Sequence, residues 1–211
     1  MERIDMSSLT RTWMNLSKAK PVRSFLDRFG IIVGPVYLFQ EGLFEEDTPF
    51  ITKDAFDKYE PGFLKIDDMK EISLIPDRNI PEDELIARLN DGKLCYGIKK
   101  GRALAAFTWC DLTECHSPMY PFPLKNNEAY LFDTYTMPSF RGEGIAPYIR
   151  YQQYVELAKM GRTRLYSVSG SFNIPAIRFK QKLNARLCKL ILYFQVLNKY
   201  KLRLVLKRYK Q

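Results

Sequence analysis

Hydrophobic positions recur along the chain at two periods, and the changes between them mark the elements. Leu9, Trp13 and Leu16 fall at helical spacing, and after Pro21 so do Val22, Phe25, Leu26 and Phe29. This predicts two amphipathic helices stopped by Gly30. Residues 31–40 are β-rich, and the pair Gly34-Pro35 marks them as an edge strand or a bent one. Residues 41–61 are acidic and irregular and read as a linker or a loop with a short helix. A short strand over 63–66 precedes helices over 67–75 and 81–89, the second with Glu82, Asp83 and Glu84 in its first turn and Gly92 just past its end. Strands over 94–98 and 103–110 form a hairpin across Lys99-Lys100-Gly101-Arg102. Residues 113–128 are a loop rich in proline and aromatics, suited to lie over a binding site.

The second half alternates. A central strand over 129–137 leads to a helix over 144–160, a strand over 165–169, a helix capped by Asn173 that runs to Leu183, and strands over 187–196 and 201–207. In the last strand Leu202, Leu204 and Leu206 interleave with Lys201, Arg203 and Lys207, the pattern of a sheet edge guarded by charge. This order predicts an α/β or α+β class with a mixed sheet flanked by helices. It divides the chain into a helical and strand extension over 1–50 and a main domain over 51–211.

Composition narrows the classes. A hydrophobic fraction of 46% supports a real core and excludes disorder. A net charge of +9 favours anionic partners without choosing among nucleotides, an acyl carrier protein, an acidic membrane face or nucleic acid. Lys18, Lys20, Arg23 and Arg28 make the N-terminal segment basic, so a peripheral membrane contact stays open beside simple packing on the domain. No motif of a nucleic-acid module is present, and no nucleic acid is expected as partner. Cys95, Cys110, Cys115 and Cys188 lack metal-ligand spacing, and the acidic run after Glu41 fits no calcium loop, so no metal is expected. Loosely spaced cysteines, with no apolar run of signal-peptide or spanning length, predict a soluble, reduced, cytoplasmic protein.

The chemistry concentrates at Arg141-Gly142-Glu143-Gly144-Ile145-Ala146, between a strand and a helix. Gly142 and Gly144 let the backbone bend and approach a ligand closely. The helix that follows aims free N–H groups and a positive dipole end at the same point, and Pro147 costs nothing in its first turn. Such a turn is an anion cradle, suited to a pyrophosphate. The run Thr136-Met137-Pro138-Ser139-Phe140-Arg141-Gly142-Glu143-Gly144, followed by Asn173-Ile174-Pro175-Ala176, resembles the GNAT acetyltransferase superfamily over residues 129–185. The likeness extends less specifically over 62–128 and does not reach 1–50.

That resemblance implies the GNAT fold, a mainly antiparallel central sheet flanked by helices, and acetyl transfer from acetyl-CoA to a small-molecule or protein amine. Arg141 to Ala146 would offer N–H groups to the pyrophosphate, Thr136 and Met137 would meet the pantetheine arm, and Asn173 would contact that arm near the thioester. Asp133, a carboxylate inside the aromatic run of the central strand, is the candidate base, with Glu128 and His116 behind it. One position departs from the pattern: Lys180 stands where the family often has the tyrosine that protonates the departing thiolate. Tyr166 is the candidate substitute, with Tyr135 or water as alternatives. A catalytically silent CoA-binding module, a longer acyl donor or acyl carrier protein, and a homodimer through the last hairpin all stay open.

Overall fold

The structure, a computed structural model, describes residues 30–44, 56–76, 78–197 and 199–210. The two helices expected before Gly30, most of the acidic stretch after Glu41, and the boundary expected at residue 50 lie outside the described residues.

Among the described residues, ten strands and four α-helices follow in chain order: β1 (Ile32–Glu41), β2 (Glu60–Phe63), α1 (Ile66–Ser73), α2 (Glu82–Asn90), β3 (Leu94–Lys100), β4 (Ala103–Asp111), β5 (Glu114–Cys115), β6 (Phe122–Pro123), β7 (Glu128–Thr136), α3 (Ile145–Lys159), β8 (Arg164–Gly170), α4 (Ile174–Lys182), β9 (Arg186–Val196) and β10 (Tyr200–Arg208). Eight strands make one sheet in the order β10-β9-β1-β8-β7-β4-β3-β2. Every neighbouring pair is antiparallel except β7 and β8. Strands β5 and β6 form a separate two-stranded ladder within the loop read from its prolines.

The edge-strand reading of residues 31–40 is overturned. β1 lies inside the sheet, bonded to β8 on one side and β9 on the other. Its proline is tolerated because the β8 ladder begins at Val36, one residue later, while the Pro35 carbonyl accepts from the Ser171 N–H at 2.9 Å. The charged edge of the sheet is β10, where the alternating leucines and cations lie.

Both faces of the sheet are covered. On one, α1 and α2 press Met69, Ile72 and Leu85 against Leu104, Phe107 and Trp109 of β4. On the other, α3 presents Ile145, Tyr148, Ile149, Tyr154 and Leu157 at helical spacing, and Gly161 at φ +78° follows its end. Two polar residues, Arg150 and Gln153, occupy the same buried stripe. The approach of β2 to β3 leaves no room at Gly97, where an added Cβ would stand 2.5 Å from Leu64 Cδ2. Gly97→Ala is expected to cost about 1–3 kcal/mol, read as a fall in urea midpoint with an unchanged m-value.

Candidate active site

The parallel pair β7 and β8 stays together for only three residue pairs, Glu128–Arg164, Ala129–Leu165 and Tyr130–Tyr166. Beyond them β7 is bonded only to β4, and β8 only to β1. The strands diverge where β7 carries a bulge. Phe107 pairs with Tyr135 and Trp109 with Phe132, so Thr108 alone opposes two residues, and Asp133 takes φ +51°. Residues 131–136 thus present about 20 Å of sheet edge to a cleft inside the sheet.

The mouth of this cleft is flanked by two helix starts. β7 runs through a 3₁₀ turn, Pro138–Phe140, to Gly142 at φ +88° and Gly144 at φ +77°, the residue that caps α3. Among the described residues, the N–H groups of Gly142, Glu143, Gly144, Ile145 and Ala146 meet no backbone carbonyl. Residues 141–144 are exposed, so the turn that carries the first of these donors is open to solvent. β8 ends beside α4, whose cap Asn173 accepts from Ala176 N at 3.2 Å. A crevice outside the carboxyl ends of adjacent parallel strands, with helix dipoles converging on it, is a general site for anionic ligands. The turn is held from behind, where Tyr59 donates to Glu143 Oε2 at 2.5 Å and Phe56 stacks on Tyr148.

Other residues predicted for the site are placed as follows. Arg141 folds back, donating to the Thr136 carbonyl at 3.2 Å and the Tyr135 hydroxyl at 3.2 Å. Met137 bonds its N–H to Ala105 O and lines a groove of about 540 Å³ between α1 and the 3₁₀ turn. Asp133 is gripped by two arginines, Arg78 on Oδ1 and Arg88 on Oδ2, the latter at 2.9 Å. This fastens α2 and the α1–α2 connection to the bulge and leaves each carboxylate oxygen already engaged.

Tyr166 lies at the closed end of the cleft, its hydroxyl 3.5 Å from Glu128 Oε1 and its ring against Phe122. Burial first, and the Glu128 charge second, raise its phenol above the usual value, so it keeps its proton at neutral pH. A second groove of about 430 Å³ opens beside it on the sheet face away from α3. His116 packs on Phe132 and Tyr130 and pairs with Asp111 at 3.2 Å. The four cysteines are free and buried, and burial pushes Cys110 and Cys115 up to about 12, which removes them as nucleophiles.

Sequence reasoning missed a buried ionic cluster on the α3 side of the cleft. Glu41, at the end of β1, has no exposed surface and accepts from Tyr154 at 2.5 Å and from Ser167. Arg150 lies 3.6 Å from it and donates to Thr134 of β7 at 2.6 Å. Lys180 of α4 donates to Ser169 of β8 at 2.5 Å. Burial would raise Glu41, but Arg150, Lys180 and the two hydroxyls outweigh it and hold the carboxyl below its usual value. Burial pushes the Lys180 ammonium down to about 8, against the pull of Glu41. The missed signal was parity, since Tyr37, Phe39 and Glu41 share one face of a strand.

No protein-family model matches the sequence, and no curated protein matches it either. Solved structures do match. An acetyltransferase of the GNAT family from Colwellia psychrerythraea aligns with a TM-score of 0.55 at 15% identity, over 79% of this chain and 57% of its own. A tandem GNAT protein from the clavulanic acid biosynthesis pathway aligns at 0.50 and 14%, over 87% and 56%. A Drosophila protein aligns at 0.54 and 12%, over 88% and 59%. The chain has the GNAT acetyltransferase fold. It spans less than two thirds of the length of each of these three structures. In this GNAT fold the divergent pair is β7 and β8, and the glycine turn stands at its open end. Among the described residues no helix is long and apolar enough to cross a membrane.

Proposed function

We propose that this protein is a CoA-dependent N-acyltransferase that moves an acetyl group from acetyl-CoA to an amine. The observation that carries the reading is the cleft between β7 and β8, with a free strand edge along one wall and a glycine turn at its mouth. The residues fit the donor. The N–H groups from Gly142 to Ala146 suit a pyrophosphate, the backbone of residues 131–136 suits an extended arm that carries amides, and Asn173 flanks the same mouth.

Acetyl-CoA supplies the electrophilic thioester carbon. The amine nitrogen forms the C–N bond and gives up a proton, the C–S bond breaks, and the sulfur leaves with its electron pair and takes up a proton. Tyr166, protonated and at the closed end, is the donor of that proton in this reading. Asp133 acts by holding the bulge that opens the cleft, since Arg78 and Arg88 occupy its oxygens. A β7 N–H steadies the oxyanion. Four free thiols fit a reducing compartment such as the cytoplasm.

The test is calorimetric titration of acetyl-CoA and of longer acyl-CoAs into the protein, with CoA release then followed against a broad amine panel. Saturable binding of acetyl-CoA and amine-dependent release support the reading. A folded protein that binds no acyl-CoA sinks it, and preference for a long-chain donor corrects the acyl group.

A further inference from the structure

The acceptor can be narrowed from the groove at the closed end of the cleft. Its floor is Glu128, 6% exposed, with Tyr166 beside it. Glu128 Oε2 accepts the Lys125 N–H at 3.0 Å, and Oε1 is 3.5 Å from the Tyr166 hydroxyl. The rim is cationic, made by Lys125, Lys189 and Arg208. Lys189 and Arg208 stand directly opposite each other in the β9–β10 ladder. Like charges in that position repel, and such a pair is stabilised by an anion between them. None of the three cations forms an ion pair among the described residues. Lys189 donates instead to the Tyr120 hydroxyl at 2.8 Å. A concave site with one buried carboxylate in its floor and three cations on its rim is matched to a ligand of both charges.

We infer that the amine acceptor is a small zwitterion, an amino acid or a molecule built like one. Its ammonium faces Glu128 and its carboxylate faces Lys189 and Arg208. This rests on the acyltransferase reading, and the volume of about 430 Å³ suits a ligand of that size. The groove begins where the strand ladder closes at Tyr130–Tyr166, so a ligand nitrogen at Glu128 lies next to the inner end of the cleft. The three ammonium protons are accounted for. One passes by way of Glu128 to solvent, one reaches the leaving sulfur, and one stays on the amide.

Two measurements on the full chain test this. The first is saturation-transfer NMR with a pool of L-amino acids and no acyl donor, set against the same amino acids as carboxamides. The second is CoA release from acetyl-CoA with each pool. Binding and turnover of the acids over the amides are expected. The double variant Lys189→Gln/Arg208→Gln, at exposed or half-exposed positions, is expected to raise the acid KM at least tenfold and so to abolish the preference for acids over amides. Equal use of acids and amides, or an unchanged KM in the double variant, overturns the proposal. If acetyl-CoA does not bind, the acyltransferase reading fails, and the NMR contrast still decides for or against a zwitterion site in the groove.

Discussion

Gly144→Trp will abolish acetyl-CoA binding while leaving the thermal transition close to that of the wild type. Gly144 holds φ +77°, a conformation that tryptophan adopts only with strain of about 1–2 kcal/mol. A Cβ there would approach Phe56 at 3.7 Å, an ordinary contact, so the backbone cost is bearable. The indole would instead fill the mouth of the cleft, in front of the N–H groups that start α3. Calorimetry on wild type and variant reads the difference directly. Retained affinity in a folded variant would show that the donor does not use this turn.

The second large effect is on stability. Glu41→Ala is expected to cost about 3–5 kcal/mol, measured by urea unfolding at pH 7, because it leaves Arg150 and Lys180 buried without their counter-charge. The same cluster sets a pH dependence. Lys180 has a folded pKa of about 8 against an unfolded value of about 10.4. Below pH 8 both states carry the proton and the burial cost is fully felt. From pH 8 upward the folded state sheds the proton while the unfolded state keeps it, so the Lys180 contribution to stability rises with pH by up to about 3 kcal/mol over the whole window. Over the same range the buried thiols of Cys95, Cys110 and Cys115 work the other way, because burial raises them in the folded state and the unfolded thiols ionise first. The raised phenols of buried Tyr130 and Tyr154 join them at higher pH. Lys180→Met removes the opposing contribution, so its stability should fall more steeply than that of the wild type between about pH 8 and 9.5. Equal slopes in variant and wild type would show that Lys180 does not set this dependence.

The parts of the fold written in local chemistry were legible. Gly142, Gly144 and Pro147 fix the turn and the start of α3 through backbone geometry alone, and Asn173 caps α4 as its side chain suggests. The place of β1 was not legible, because Gly34-Pro35 is an edge signal and what tolerates it, a β8 ladder that begins only at Val36, is a matter of tertiary register. Glu41 was submerged in an acidic run by composition, although its parity with Phe39 pointed inward. Asp133 stood out as a candidate base because a carboxylate among aromatics is costly unless it is paired or functional, and in the structure it is paired. That the partners are arginines from the α1–α2 region could not be read from spacing, since Arg78 and Arg88 reach it through packing of separate elements.

The position of β1 also governs how the cleft comes to exist. This strand precedes every other element described, yet its partners on both sides belong to the last part of the chain: Leu38 waits for Val168 and for Lys189. During synthesis, β2 to β7 can assemble with α1, α2 and α3 while Tyr37 and Phe39 still lack their cover. The wall formed by β8 is fixed only when a strand made early is threaded between two made late. Such long-range closure is slow, and the waiting strand is exposed to wrong pairings until it is complete. The cleft between β7 and β8 is therefore expected to close late in folding, and it depends on β1, which lies outside residues 62–185, the stretch whose sequence resembles the GNAT superfamily.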